Sequence, residues 1–185
     1  MFKKIIYTGA FALLTSSAFA QETETTAPIA AEPAASVSDV ANNSQFGDWL
    51  VQCEAITVSR NACSIVQELT LSENNALVAR FVALSAEGGA AILLAQLPIG
   101  VYLPGGAVYR LADNEEEEQR EMIWQRCLGD LCEAAVSLSA EEVGKFEESE
   151  AILFGYRAAA DSDPIVVRVD TSSFAQAMTA ITAKE

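Results

Sequence analysis

Four cysteines are the residues whose types and spacing give this sequence its most definite chemistry. They form two close pairs, and each pair flanks a short polar break of the kind found at a hairpin tip. We predict the disulfides Cys53–Cys63 and Cys127–Cys132, which is one of three possible connectivities. A structural zinc site is the alternative, but the spacings C-x9-C and C-x4-C fit zinc less well.

The absence of histidine limits the reactions that this chain could catalyse. It excludes Ser-His and Cys-His nucleophiles and histidine metal ligands. The adjacent pairs Glu141-Glu142 and Glu147-Glu148 supply the residue types of a glycosidase. Adjacent glutamates on a short helix point in different directions into water, so we favour a solvated surface. The sequence therefore predicts no catalytic residue.

Two further segments were weighed as binding sites. The acidic run 113–118 could supply oxygen ligands to calcium, but it lacks the alternate spacing and central glycine of a calcium loop. A solvated hairpin tip is the favoured interpretation. The segment 97–106 contains two prolines and three glycines and could be a binding loop, although a bend in a strand is favoured. Neither segment predicts a bound metal or cofactor.

The amino-terminal region predicts export. Residues 1–20 contain two lysines, an apolar run and an Ala-x-Ala cleavage site, which together indicate a secretory signal peptide. The alternative, a transmembrane anchor, is disfavoured because the apolar run is shorter than the roughly 20 residues of a membrane span. We expect the mature chain to start at Gln21, with a disordered Ala/Thr/Glu/Pro linker over 21–44 and a folded domain over 45–185.

The strongly acidic composition constrains the partner. The formal charge of −15 becomes −17 when residues 1–20 are removed, because that segment contains two lysines and no acid. Such a chain is repelled by phosphate backbones and anionic lipid surfaces, so nucleic acid is not an expected partner. We expect salt-sensitive association with cationic partner surfaces, in which the run Glu115–Glu118 is the first candidate.

The elements that must position these residues are mostly strands. From Phe46 onward, short apolar runs alternate with turn residues, which is the pattern of an antiparallel β domain. The predicted strands are 48–54, 62–71, 77–84, 90–97, 101–103, 107–112, 121–127, 133–138, 151–158 and 165–170. The runs 77–84 and 90–97 are apolar on both faces, which places them inside a sandwich or closed barrel.

Two segments have helical signals instead. Ser139 and Glu142 form a capping box, which predicts a short helix near 140–148. A second helix is predicted at the carboxyl end, capped by Ser173 toward Gln176 and docked on the sheet by one apolar stripe. That stripe consists of Phe174, Ala177, Met178 and Ile181. The predicted fold class is mainly β: a single antiparallel β-sandwich or barrel-like domain with these two helices.

Several short motifs occur in a characteristic order. They are Phe46-Gly47-Asp48-Trp49, Cys53 and Cys63 with Gln67 beyond, the segments 97–106 and 127–134, and Phe174-Ala175-Gln176-Ala177. In this order they resemble the invasion-associated locus B family of exported Gram-negative proteins, over nearly the whole domain. Two positions depart from the family: the run 115–118 stands where an ordinary hairpin tip is expected, and Ser173 replaces a usual glycine.

The resemblance implies a periplasmic or cell-surface β domain of a Gram-negative bacterium. Some pathogenic members of the family are implicated in entry into host cells, and the family offers no known catalytic residues to carry over. We therefore expect an exported, non-catalytic envelope protein that binds a protein or cell-envelope component and has no transmembrane segment in its mature chain. The alternatives are a ligand-binding periplasmic β-barrel and a carboxylate-dependent hydrolase.

Overall fold

The structure, a computed structural model, describes residues 40–58, 60–113 and 119–182. The predicted signal peptide, the run 114–118 and the predicted linker as far as residue 39 lie outside these ranges. Residues 40–44, which belong to the predicted linker, are described and lie against the folded domain. There the Asn43 amide donates to the Val51 carbonyl at 2.8 Å, and the Cys53 amide donates to Asn42 Oδ1 at 3.0 Å.

The described residues form one antiparallel sheet and two α-helices, which confirms the predicted mainly β class. The strands are β1 (Gln45–Phe46), β2 (Trp49–Thr57), β3 (Arg60–Thr70), β4 (Leu77–Ser85), β5 (Ala91–Pro98), β6 (Ala107–Leu111), β7 (Arg120–Leu128), β8 (Leu131–Leu138), β9 (Ala151–Tyr156) and β10 (Ile165–Asp170). The helices are α1 (Ala140–Glu148) and α2 (Phe174–Ile181).

The strands lie in the order β1-β2-β3-β4-β5-β8-β7-β6-β9-β10. Within the described ranges no register pairs β1 with β10, so the sheet is open and the closed-barrel form of the prediction is wrong. The sheet nevertheless curls over itself, because Phe81 on β4 and Phe154 on β9 pack with their ring centroids 5.1 Å apart. The core lies between the two halves of this curled sheet.

The predicted and the observed strands differ at two places. Residues 101–103 are not a strand: Leu103–Gly105 is a short 3-10 turn, because Pro104 has no amide hydrogen for a ladder and the Tyr102 amide donates instead to the Arg157 carbonyl. The two-residue strand β1 was not predicted, since so short a segment carries no periodicity. The remaining nine strands match predicted runs to within a few residues.

The central strands β4 and β5 show how one apolar run serves two faces. On the inner face, Phe81 and Leu93 are completely buried. On the outer face, Val82 and Leu94 face each other across the two strands and are only half-buried. Apolar residues on both faces therefore reflect a central position in an open sheet rather than enclosure by a second layer.

The two helices cover one part of the core. The predicted capping box of α1 is confirmed: Glu142 accepts a hydrogen bond from the Ser139 amide at 2.7 Å, and the Ser139 hydroxyl accepts one from the Glu142 amide at 3.3 Å. The apolar stripe of α2 is buried, also as predicted. The rings of Phe146 on α1 and Phe174 on α2 lie 5.3 Å apart and join the helices.

Trp49 connects the two ends of the open sheet. Its side chain is only 1% exposed, and its Nε1–H donates to the Asp170 carbonyl at 2.9 Å. Trp49 lies at the start of β2 and Asp170 at the end of β10, so this hydrogen bond spans the opening of the sheet. The Phe174 ring packs edge-on against the indole with a centroid distance of 5.2 Å, which holds α2 over the same opening.

Gly47 lets the chain approach α2 closely at this point. Its φ of +57° disfavours other residues, and a Cβ at this position would lie 2.9 Å from the Ser173 hydroxyl. The predicted cap of α2 is wrong, because Ser173 makes no side-chain capping hydrogen bond. Its hydroxyl lies next to Gly47 instead.

One polar residue lies inside the core. Gln67 on β3 is 3% exposed, and its register places it between Trp49 on β2 and Phe81 on β4. Its Oε1 has no hydrogen-bond partner in the described part of the chain. An apolar residue at this position would therefore lose no hydrogen bond made by Oε1.

We predict that Trp49→Phe lowers the free energy of unfolding by about 2 kcal/mol or more, because it removes both a partly buried hydrogen bond and part of a packed ring. Trp124→Phe is the matched control, since the buried Trp124 Nε1 has no hydrogen-bond partner among the described residues. It should cost about 1 kcal/mol or less. Urea unfolding of both variants measures the difference, and equal losses would contradict the role given to the Trp49 hydrogen bond.

Candidate functional site

Both predicted cysteine pairs lie at disulfide distance. Cys53 on β2 faces Cys63 on β3, with sulfur atoms 2.12 Å and Cα atoms 4.0 Å apart. Cys127 on β7 faces Cys132 on β8, with corresponding distances of 1.96 Å and 3.9 Å. Each pair therefore joins directly opposite residues of one hairpin, where a crosslink fixes the strand register.

Two of the four glutamates weighed as acid and base, Glu141 and Glu142, have structural partners. Glu141 pairs with Lys145 at 3.1 Å, one turn along α1. Glu142 closes the capping box and also forms an ion pair with Arg120 on β7. Glu147 and Glu148 are exposed to solvent. Glu141 and Glu142 therefore stabilise α1 and its contact with the sheet, and the positions of the four carboxylates give no support to a hydrolytic mechanism.

Residues 113–118 can be assessed only at Asp113, which accepts a hydrogen bond from the Ser149 hydroxyl at 2.7 Å. Across 40–58, 60–113 and 119–182, no three residues of the types His, Cys, Asp or Glu are grouped so as to hold a metal ion. The same ranges contain no helix with the length and apolar character needed to cross a membrane.

A cleft of about 410 Å³ lies on the outer face of β6, β9 and β10. Strand alternation explains its lining: Tyr109 and Phe154 point into the core, so their neighbours Arg110 and Leu153 point outward, directly opposite each other. The polar lining comes from Arg110, Gln119 and Arg157, and the apolar lining includes Val108, Leu153, Pro164 and Val166.

Gly155 gives the cleft its open floor. It lies between Val108 on β6 and Val166 on β10 in the sheet register. A Cβ at Gly155 would lie 3.7 Å from Val108 Cγ2 and 3.9 Å from Val166 Cγ2, which are ordinary van der Waals distances. The fold would accept alanine here, and the added methyl group would occupy space in the cleft.

Backbone contacts hold both arginines of the cleft. The Arg157 guanidinium donates to the Ser162 carbonyl, and the Arg157 carbonyl accepts from the Tyr102 amide at 2.8 Å. The Arg110 guanidinium donates to the Leu111 carbonyl at 3.1 Å. Fixed guanidinium groups present several N–H donors in a rigid plane, which suits carboxylate and phosphate oxygens.

Arg110 and Arg157 supply two positive charges to the described lining of the cleft. Tyr156 also lines the cleft, and burial raises the pKa of its phenol above the usual value near 10. The phenol therefore stays neutral at physiological pH and adds no negative charge.

A neighbouring pocket of about 360 Å³ is lined by charged side chains of both signs. Arg168 on β10 shares that pocket with Asp113, Glu148 and Glu150. Its positive charge has acidic side chains in the same pocket.

Comparison with known proteins assigns the family. A family model described as invasion associated locus B (IalB) protein matches residues 49–182, which is more than half of the chain. The chain belongs to the IalB family. This confirms the resemblance inferred from its short motifs. No curated protein matches the chain in a sequence comparison.

A solved structure supports the fold of this IalB domain. The crystal structure of invasion associated protein B from Bartonella henselae is similar to the chain with a TM-score of 0.66 and 14% sequence identity. The similarity covers 76% of this chain and 95% of that chain. At this identity the likeness is evidence for the fold alone.

Sequence reasoning did not find the cleft of this IalB domain. Arg110 lies on β6 and Arg157 directly follows β9, and no motif links them. The one partial signal was the segment 97–106, because Gly105 from its 3-10 turn lines the cleft. The suggestion that this segment binds a ligand therefore keeps a structural basis, but as one wall of a cleft built mainly by β6, β9 and β10.

We predict that peptide mapping without reduction will recover the crosslinks Cys53–Cys63 and Cys127–Cys132, because each pair joins facing residues of one hairpin. Reduction should leave most of the sheet folded, since other strand pairs hold each hairpin, and chain-entropy arguments give each short loop on the order of 2–3 kcal/mol. Recovery of a peptide that joins Cys53 to Cys127 would contradict both assignments.

Proposed function

We propose that this IalB-family chain is an exported, non-catalytic binding protein of the Gram-negative cell envelope. The observation that carries the proposal is the family match over residues 49–182. Two cysteine pairs at disulfide distance support a location outside the cytoplasm, where such bonds persist. The signal-like residues 1–20 support the same location.

A binding role is favoured over catalysis by what the described side chains contact. The carboxylates of α1 that were considered as acid and base are in ion pairs, in the capping box or in solvent. The description of the family names no reaction. Interaction with host cells is the finer form of this proposal, and it rests on what the resemblance implies for pathogenic members.

The ligand-binding alternative is retained in a changed form. An internal ligand in a closed barrel is not supported, because the sheet is open and the aromatic rings of its two halves pack against each other. The cleft with Arg110 and Arg157 lies on the outer face instead. A small ligand would therefore bind outside the core.

Export makes a definite prediction about the mature chain. Amino-terminal sequencing of the exported protein should give Gln21 as its first residue, because Ala18 and Ala20 supply the small residues that the cleavage site requires. Protease treatment of intact cells then separates a surface location from a periplasmic one. A mature protein that retains Met1 would contradict export.

The binding role predicts association that depends on ionic strength. Capture of cell-envelope or host-cell components by the mature chain should weaken between low and physiological salt, because the net charge is strongly negative. Charge reversal at Glu115–Glu118 tests that run, and charge reversal at the exposed pair Glu147-Glu148 is the matched control. Turnover of a glycan or peptide, lost on one Asp or Glu substitution without unfolding, would overturn the proposal.

A further inference from the structure

We propose that two copies of this chain pair face to face through the outer face of β3, β4, β5, β8 and β7. Both helices bury their rings, Phe146 and Phe174, in the core between the two halves of the sheet, so they lie on its inner side. The inference goes beyond the proposed function, because it concerns a contact between copies of the chain rather than a partner in the cell envelope. It does not depend on export.

One row of polar side chains crosses this face with alternating charge. The register of the five neighbouring strands places each member opposite the next: Glu68 on β3, Arg80 on β4, Gln96 on β5, Glu133 on β8 and Arg126 on β7. Two glutamates and two arginines give this row no net charge, in a chain whose net charge is −15. The row itself therefore adds no repulsion when two copies approach each other.

The order of the charges makes the row complementary to itself. From β3 to β7 the charges are negative, positive, neutral, negative and positive, so a reversed copy of the row places an opposite charge against each one. A two-fold axis parallel to the strands and above Gln96 produces this reversal in the second copy, as an isologous interface requires. Glu68 of one copy then faces Arg126 of the other, and Arg80 faces Glu133.

A row of apolar side chains runs beside the charged row. Its members are in register across β2, β3, β4, β5, β8 and β7, and they are Leu50, Val66, Val82, Leu94, Ala135 and Ile123. The same axis places Leu94 against its own copy and Val82 against the smaller Ala135. It also places Ile123, which is 66% exposed, against Val66, which is 3% exposed. Protruding side chains of one copy thus meet recessed ones of the other, and burial of these apolar surfaces favours pairing.

Contacts within one copy hold the charged row in place before pairing. Glu68 and Arg80 are 3.5 Å apart, Glu133 and Arg126 are 3.6 Å apart, and Gln96 donates to Glu133 at 2.9 Å. Side chains that are already ordered lose less conformational entropy when a partner binds. Glu68 and Arg126 nevertheless remain 54% and 65% exposed, at the two margins of the row. Because the curl of the sheet makes this face convex, these long side chains are the ones that reach across at its margins.

Sedimentation velocity of the purified chain in physiological salt, from micromolar to millimolar concentration, tests the inference. We expect a reversible dimer. Glu68→Arg and Arg126→Glu should each weaken self-association by about tenfold or more, because each variant places two like-charged pairs across the interface. An equimolar mixture of the two variants should recover association, since both pairs of the mixed dimer then join opposite charges. Contacts within one copy cannot explain such recovery, because Glu68 and Arg126 lie four strand spacings apart, roughly 19 Å.

Ile123→Glu tests the apolar row and should also weaken the dimer by about tenfold or more, because it places a charge in an apolar contact. Val166→Glu is the matched control, since Val166 is 60% exposed on β10, three strands beyond β7, and should leave the dimer unchanged. Urea unfolding checks that each variant is folded. A monomer at every concentration, equal weakening by Val166→Glu, or a mixture that associates no better than the single variants would overturn the inference.

Discussion

The hydrogen bond from the Trp49 indole to the Asp170 carbonyl is the contact on which the shape of this domain most depends. An open sheet has two ends that cannot satisfy each other through a strand ladder. Here the side chain at the start of β2 reaches the backbone at the end of β10, 121 residues away in sequence. The indole is buried, and the hydrogen bond that it donates is partly buried.

The same contact organises the helices. The Phe174 ring packs on the indole, Phe146 packs on Phe174, and Tyr109 packs on Phe146 at 5.7 Å. This series of rings connects β2, both helices and β6 through edge-on and tilted contacts. The segment Phe46-Gly47-Asp48-Trp49 therefore has a structural explanation: the tryptophan joins the sheet ends, and the glycine admits α2 beside them.

Because aromatic rings fill the interior between the two halves of the sheet, a ligand would bind on the outside of the sheet. On the outer face, the register of β6, β9 and β10 brings Arg110 into one cleft with the apolar side chains of Leu153 and Val166. These strands are separated in the sequence, so the cleft depends on the register of the sheet.

The sequence by itself determined the features whose cause is local. Strand alternation, the capping box at Ser139, the buried stripe of α2 and the facing cysteines each depend on residues close together in the chain, and the structure has all of them. The ordered motifs also identified the family, because their order reflects the whole domain.

Only the tertiary structure decided the features that depend on distant segments. The strand predicted at 101–103 became a turn in which Tyr102 contacts Arg157. Ser173 makes no side-chain capping hydrogen bond, and its hydroxyl lies next to Gly47. The contact across the opening of the sheet depends on Trp49 reaching Asp170. The cleft depends on the register between β6, β9 and β10. Local sequence patterns indicate which way a side chain faces along its own strand, but not which distant side chains come to lie beside it.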